Sequence, residues 1–330
     1  MVLEVLIGEV KIRKKPYLIL PFVMLITITG IFFAYWLFPN YSSILSVAFV
    51  TIGLVPMLYN IITVEESDEM IERKSCTTFF ARHFSLIMIF IFVFFGVILA
   101  FSMAYVFAPV EIKETLFKEQ INSFCWVTGS CKNLQPLSLF GNAVGTGAEV
   151  CKDPTQASMI GCTSYIFINN AKVLFFAIVL SLLYGAGSIF IIVWNASILG
   201  LFFGEMFLID NHLAGLGLLN GLLIGHGPPE LLGYVFGALA GAILSAMVAK
   251  GELYTHEFST IIKDVIFLII LSFASVLYGA IVEAVGIIGG TLSIPGMNEL
   301  YFILGFIYVV AIIFIVFTYG TKRKKGNFTC

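Results

Sequence analysis

Runs of apolar residues, each about 20 long, recur through this chain and leave it few folds to choose from. A bilayer offers no water to backbone N–H and C=O groups, so such runs cross it as helices. We read spans at 17–38, 44–62, 84–107, 166–185, 187–209, 229–249, 263–287 and 300–319. Only 12% of the 330 residues are charged and 33 are phenylalanine, too little polar surface for a soluble domain of this length. The expected fold is an all-α polytopic helical membrane protein with about eight transmembrane helices plus a re-entrant segment. The bilayer is then its first partner. A net charge of −2, with no basic stripe among the aromatics, speaks against nucleic acid.

The segments between the spans suggest an organisation and an orientation. Residues 1–107 hold an N-terminal lead-in and three spans with a polar loop at 63–83. Residues 108–163 form a cysteine-containing loop domain, 164–290 a membrane core, and 291–330 a last span with a basic tail. Residues 1–10 read as a short interfacial helix or an ordered lead-in, and no cleavable signal is expected, because no small-residue cleavage pattern follows the basic cluster. The basic residues Lys11–Lys15, Arg73, Lys74, Arg82, the Lys250–Lys263 linker and Lys322–Lys325 should all lie in the cytoplasm. Eight spans put them on one side of the plasma membrane, with both termini cytoplasmic, provided that 211–226 dips in and returns. That piece is too short and too glycine-rich to cross. The loop at 108–163 then faces outward, where Cys125, Cys131, Cys151 and Cys162 suggest two disulfides in any of three pairings. Cys76 and Cys330 are expected as free thiols.

Ionisable and amide side chains are costly inside a span and by default mark function. Those that fall there or beside the re-entrant piece are Asn169, Asn170, Lys172, Asn195, Glu205, Asn220, His226, Glu230 and Glu283. The densest group lies in NGLLIGHGPPELLGYVFGALAGAILSAMVAK, residues 220–250. Pro228 drives Gly227 out of the helical region, and either proline suits a first helical turn. His226 should therefore sit on irregular backbone just before a helix that carries Glu230 in its opening turns. With Asn170, Asn195 and Glu283 these residues make a candidate ligand set for a divalent metal such as zinc. Such an ion could turn a bound water into a nucleophile, with Glu230 or Glu283 as general base where not a ligand.

Each residue also has a structural reading of comparable weight. His226 and Glu230 could form a hydrogen-bonded pair that pins the turn to the next helix. Glu283 could be a buried, protonated carboxyl bonded to a neighbouring helix, and Asn195 polar glue between helices. Glu205 with Asp210 reads as an interfacial end-cap, and His83, His212 and His256 as solvated residues flanking spans. Gly233, Gly237 and Gly241 recur every four residues, as on a close packing face. The SLLYGA of 181–186 echoes the SVLYGA of 275–280 on spans of opposite direction, which inverted repeats would produce and chance can too.

Residues 165–290 resemble the stage II sporulation protein M family of integral membrane proteins. The matching residues are Asn169-Asn170, then Asn195 with Gly200, then the HGxxE signature of His226, Gly227 and Glu230 with its glycine-spaced helix, and last Glu283-Ala284. Pro228 and Pro229 depart from the apolar pair usual there, and the first three spans carry no motif that matches. The resemblance implies a membrane scaffold or complex subunit: the name-giving members act with partner proteins in an envelope complex that remodels peptidoglycan. Three functions compete for the same polar residues: a scaffold with cell-envelope protein partners, a metal-dependent membrane hydrolase, and a transporter with a cation or proton site.

Overall fold

The computed structural model describes residues 15–72, 79–128, 151, 158–181, 186–208, 224–250, 258–292 and 294–325. Among them the only regular structure is helical. Eight helices are long and apolar enough to cross a membrane: Pro16–Leu37, Pro39–Ile62, His83–Phe107, Met159–Leu180, Gly187–Leu208, Gly227–Ser245, Ile261–Gly290 and Met297–Ile315. The chain is a polytopic all-α membrane protein, as its apolar runs require. The re-entrant reading falls outside the described residues except for Ile224–His226, as do Asn220, His212 and His256.

The helices are α1 (Leu20–Leu37), α2 (Ser42–Glu72), α3 (Phe79–Phe107), α4 (Val110–Leu116), α5 (Lys118–Thr128), α6 (Met159–Ser181), α7 (Ala186–Leu208), α8 (Gly227–Lys250), α9 (Phe258–Leu292) and α10 (Met297–Lys325). The fourth span starts earlier than the expected 166, because Ser158 caps α6: its Oγ accepts the Gly161 N–H at 3.0 Å. The loop at 108–163 supplies α4 and α5, and α5 is tied to the start of α2. Ser43 donates to Gln120 Oε1 at 2.6 Å, and Gln120 Nε2 donates back to the Ser43 carbonyl at 3.1 Å.

Lipid gives helices no hydrophobic reason to associate, so close approach over small residues holds them together. α8 packs most closely on α9, α7 on α3, and α1 on α2. A Cβ added at Gly233 would stand 2.5 Å from Val276 Cγ2, and one at Gly237 would collide with Leu174 of α6. The expected glycine face is thus the seam along which α8 lies between α6 and α9, and Ser272 adds a 2.6 Å hydrogen bond to the Gly233 carbonyl. Gly200 plays the same part on α7, where a Cβ would come within 2.6 Å of Phe101 Cβ. α10 is peripheral: Phe302, Phe306, Val310 and Phe314 on it are exposed, as lipid-facing side chains would be.

Candidate metal centre at one end of the bundle

The starts of α6, α8 and α10 and the end of α9 meet at one end of the bundle. Ile294, Pro295, Gly296 and Met297 bring α10 back towards α9. Gly296 has φ of +83°, and the Met297 N–H reaches the Ile294 carbonyl at 3.3 Å. Pro then Gly at the two central positions is the sequence of a type II turn. On the facing side, the Ile224 carbonyl lies directly against Gly305 of α10, which leaves no space for a side chain there. His226 follows at once, on non-helical backbone, and its carbonyl accepts the Glu230 N–H at 3.3 Å as the first bond of α8. The irregular histidine and first-turn glutamate expected from the HGPPE order are both present, but Gly227, expected outside the helix because Pro228 follows it, is the first residue of α8. Their four-residue spacing stacks them on one face.

Glu283 joins them from α9. Ligand atoms of His226, Glu230 and Glu283 all lie within 4.8 Å of one another, and each residue is partly exposed. Gly279, one turn before Glu283, makes this approach feasible. A Cβ there would sit 2.6 Å from Glu230 Cγ and push the two carboxylates apart. Two carboxylates and an imidazole this close, among helices of low polarity, need a shared proton or a cation between them.

A surrounding layer of hydrogen bonds fixes two of the three side chains, Glu230 and His226. Asn170 Nδ2 donates to Glu230 Oε1 at 2.8 Å, and Tyr234, one turn beyond Glu230, donates to Asn170 Oδ1 at 3.2 Å. His226 Nδ1 is 3.2 Å from the Tyr301 hydroxyl, which leaves Nε2 as the nitrogen available to a ligand. Neither Tyr234 nor Tyr301 is among the residues that the sequence alone singles out. Tyr234 had a detectable signal in its four-residue spacing from Glu230, whereas Tyr301 had none in sequence.

Beside the cluster, Cys151 and Cys162 form a disulfide that packs with Ile166 of α6 and Ala280, Ala284 and Ile288 of α9. Of the three possible pairings of the loop cysteines, this bond belongs to the one that would also join Cys125 to Cys131. The side chain of Cys125 and all of Cys131 lie outside the described residues, as do Cys76 and Cys330.

The other polar residues divide. Asn195 donates to the Ile191 carbonyl of its own helix at 2.8 Å, a bond that joins neither a second helix nor the cluster. Glu205 accepts from the Tyr105 hydroxyl at 2.6 Å and so ties α7 to α3; Asp210, its supposed companion, is outside the described residues. His83 contradicts the expectation of a solvated flank. It is buried, with Nε2 3.5 Å from Asp264 Oδ2, because α3 begins before the apolar run and sets His83 beside that carboxylate. Asp264, a carboxylate one residue inside the span read at 263–287, was a visible signal left unused. The 181–186 half of the inverted echo lies almost wholly outside the described residues. Lys172, two residues past Asn170, is exposed.

Neither the curated proteins nor the solved structures contain a match to this chain. The model of the family described as Stage II sporulation protein M, in contrast, matches residues 23–286. That match takes in Asn170, Asn195, His226, Glu230 and Glu283, and it also runs through the first three spans, where no motif was legible. The chain therefore belongs to the stage II sporulation protein M family of membrane proteins.

Proposed function

We propose that this chain is a membrane-embedded complex subunit whose core holds one divalent metal ion between His226, Glu230 and Glu283. One observation carries the reading: three side chains from two stretches far apart in the chain bring ligand atoms within 4.8 Å, and Asn170 and Tyr301 orient two of them from outside. An outer layer that fixes imidazole and carboxylate ligands is how protein metal sites are tuned. The ion joins the start of α8 to the end of α9, and that clamp presents the disulfide-bonded cap to envelope partners. The Cys151–Cys162 disulfide also supports an orientation, since such bonds persist in oxidising compartments. The site end then faces outward from the plasma membrane, and both termini are cytoplasmic. Reporter fusions at the C-terminus test this: fluorescence there agrees with it, and activity of a periplasm-dependent reporter does not.

A metal-dependent hydrolase is the second reading. It is favoured by the partial exposure of all three ligands and by their number, since catalytic zinc keeps three protein ligands and an open position. Elemental analysis of detergent-purified protein tests the centre itself. About one transition ion per chain is expected, lost in both His226→Ala and Glu230→Gln. Metal-free wild type that remains folded would return the same residues to a hydrogen-bonding role.

A further inference from the structure

We infer that an outside ligand reaching this centre is electrically neutral, such as water or the carbonyl of an amide or ester, and that phosphate-like anions are refused. The inference rests on the metal reading above. It comes from the charges and backbone donors around the three ligands.

A divalent ion with two carboxylates and a neutral imidazole sums to zero charge. The groups bonded to those ligands, Asn170 and Tyr301, are neutral too, as is Tyr234, which bonds Asn170. Among the described residues no lysine or arginine pairs with Glu230 or Glu283. On α6, Asn170 is turned to Glu230, so Lys172, about 200° further round at 100° per residue, points away. Lys113 is engaged elsewhere, with Nζ 4.7 Å from the centroid of the Tyr105 ring. An added anion would therefore bring an unbalanced charge into a poorly solvated place, which is strongly disfavoured. Sites that process phosphoryl groups supply arginine, lysine or further metal ions for this purpose.

The backbone makes the same exclusion. A helix N-terminus beside a metal would ordinarily welcome an anion, because its first amides point outward without partners. In α8 those positions are 226–229, and Pro228 and Pro229 have no N–H to offer. The next amide, that of Glu230, is already bonded to the His226 carbonyl. The two prolines thus strip the helix end of half its anion-binding donors at the place where they would face the centre.

The test uses the full-length chain in lipid nanodiscs, loaded with Co2+ so that its visible d–d bands report the inner coordination. Acetamide, a neutral carbonyl probe, should shift the bands, and azide and methylphosphonate at the same concentration should not. Glu283→Gln leaves the centre with a net positive charge, so azide should then bind, with apparent affinity up about tenfold or more. If that variant holds no cobalt, Pro228→Ala/Pro229→Ala restores two amide hydrogens and should gain an azide response without a change of ligands. A shift of the wild-type bands by azide or methylphosphonate overturns the inference, and so does a wild type that responds to no probe. Absence of any His226-dependent cobalt spectrum is a different failure: it removes the metal reading and this inference with it.

Discussion

At one end of α9, Glu283 meets His226, Glu230 and a layer of neutral hydrogen-bonding side chains; at the other, Asp264 meets His83 among buried apolar residues. Roughly 28 Å of helical rise separates the two carboxylates, close to the thickness of a bilayer's hydrocarbon core. Both encounters put an imidazole against an acid, yet only the first has the features of a built site. Irregular backbone delivers its histidine, and a glycine makes room for its second carboxylate. A third helix orients that carboxylate with an amide, and all three side chains stay partly exposed. The inner pair joins residues of two regular helices and is nearly sealed. Among the described residues, His226, Glu230 and Glu283 are also the only group of three that could hold an ion. A histidine beside a carboxylate is thus weak grounds for a site; convergence and access are what separate the two ends.

The largest effect should come from breaking the inner pair. His83→Ala takes the imidazole from beside a buried carboxylate, and breaking such a buried contact costs up to about 3 kcal/mol. Thermal unfolding in detergent should show that loss, with metal content per folded chain unchanged. A double replacement by leucines should recover most of the stability. Loss of metal in His83→Ala would mean that the two ends of α9 work as one unit. The outer end should answer in the opposite way. Glu283→Ala should weaken metal binding by at least about 100-fold, the upper range for outer-layer groups, with a smaller change in unfolding temperature. An unchanged metal content there would remove Glu283 from the centre.

Next in size is Tyr301→Phe, which deletes the hydroxyl at His226 Nδ1 and leaves the ring in place. Metal affinity should fall by roughly 10-fold, as for other partners that orient a ligand, and Asn170→Ala should behave alike. Competition against a chromophoric chelator measures both. A Tyr301→Phe variant with wild-type affinity would assign the hydroxyl to helix packing alone.

Much of this was legible in sequence, for reasons that also mark where reading stopped. The eight spans followed from the bilayer's demand for self-satisfied backbone, and the start of α8 from the suitability of Pro228 and Pro229 for a first helical turn, though Gly227 is helical against expectation. His226, Glu230 and Glu283 stood out because charge in an apolar run needs an explanation. Their mutual approach was not legible, since it depends on Gly279 facing Glu230, a contact between helices that no local pattern encodes. Tyr301 owes its place to the turn at Pro295–Gly296, which aims α10 at the histidine. His83 stands at the edge of an apolar run, where a residue can be wet or buried, and only its tertiary neighbours, Asp264 among them, decide. Asn195 looked like a residue available to the site until its amide proved to be bonded along its own helix.

The smallest effect is expected between the two ends, at Ser272. Its Oγ donates to the Gly233 carbonyl across the α8–α9 seam at 2.6 Å, and the residue is fully buried. Hydrogen bonds between membrane helices contribute on average about 0.6 kcal/mol, because the separated helices find other partners. The Gly233 carbonyl also remains within reach of its own helical amide, so Ser272→Ala strands no buried acceptor. The close approach of Gly233 to Val276 and to the Ser272 carbonyl survives this substitution, and it sets the register of α8 on α9. Ser272→Ala should therefore lower stability by less than about 1 kcal/mol and leave both metal content and the His83–Asp264 pair as they were. A larger loss, or a drop in metal affinity, would make the seam's polar bond the element that sets where Glu283 stands. The separation between a built site at one end and a helix tie at the other would then have to be redrawn around the middle of α9.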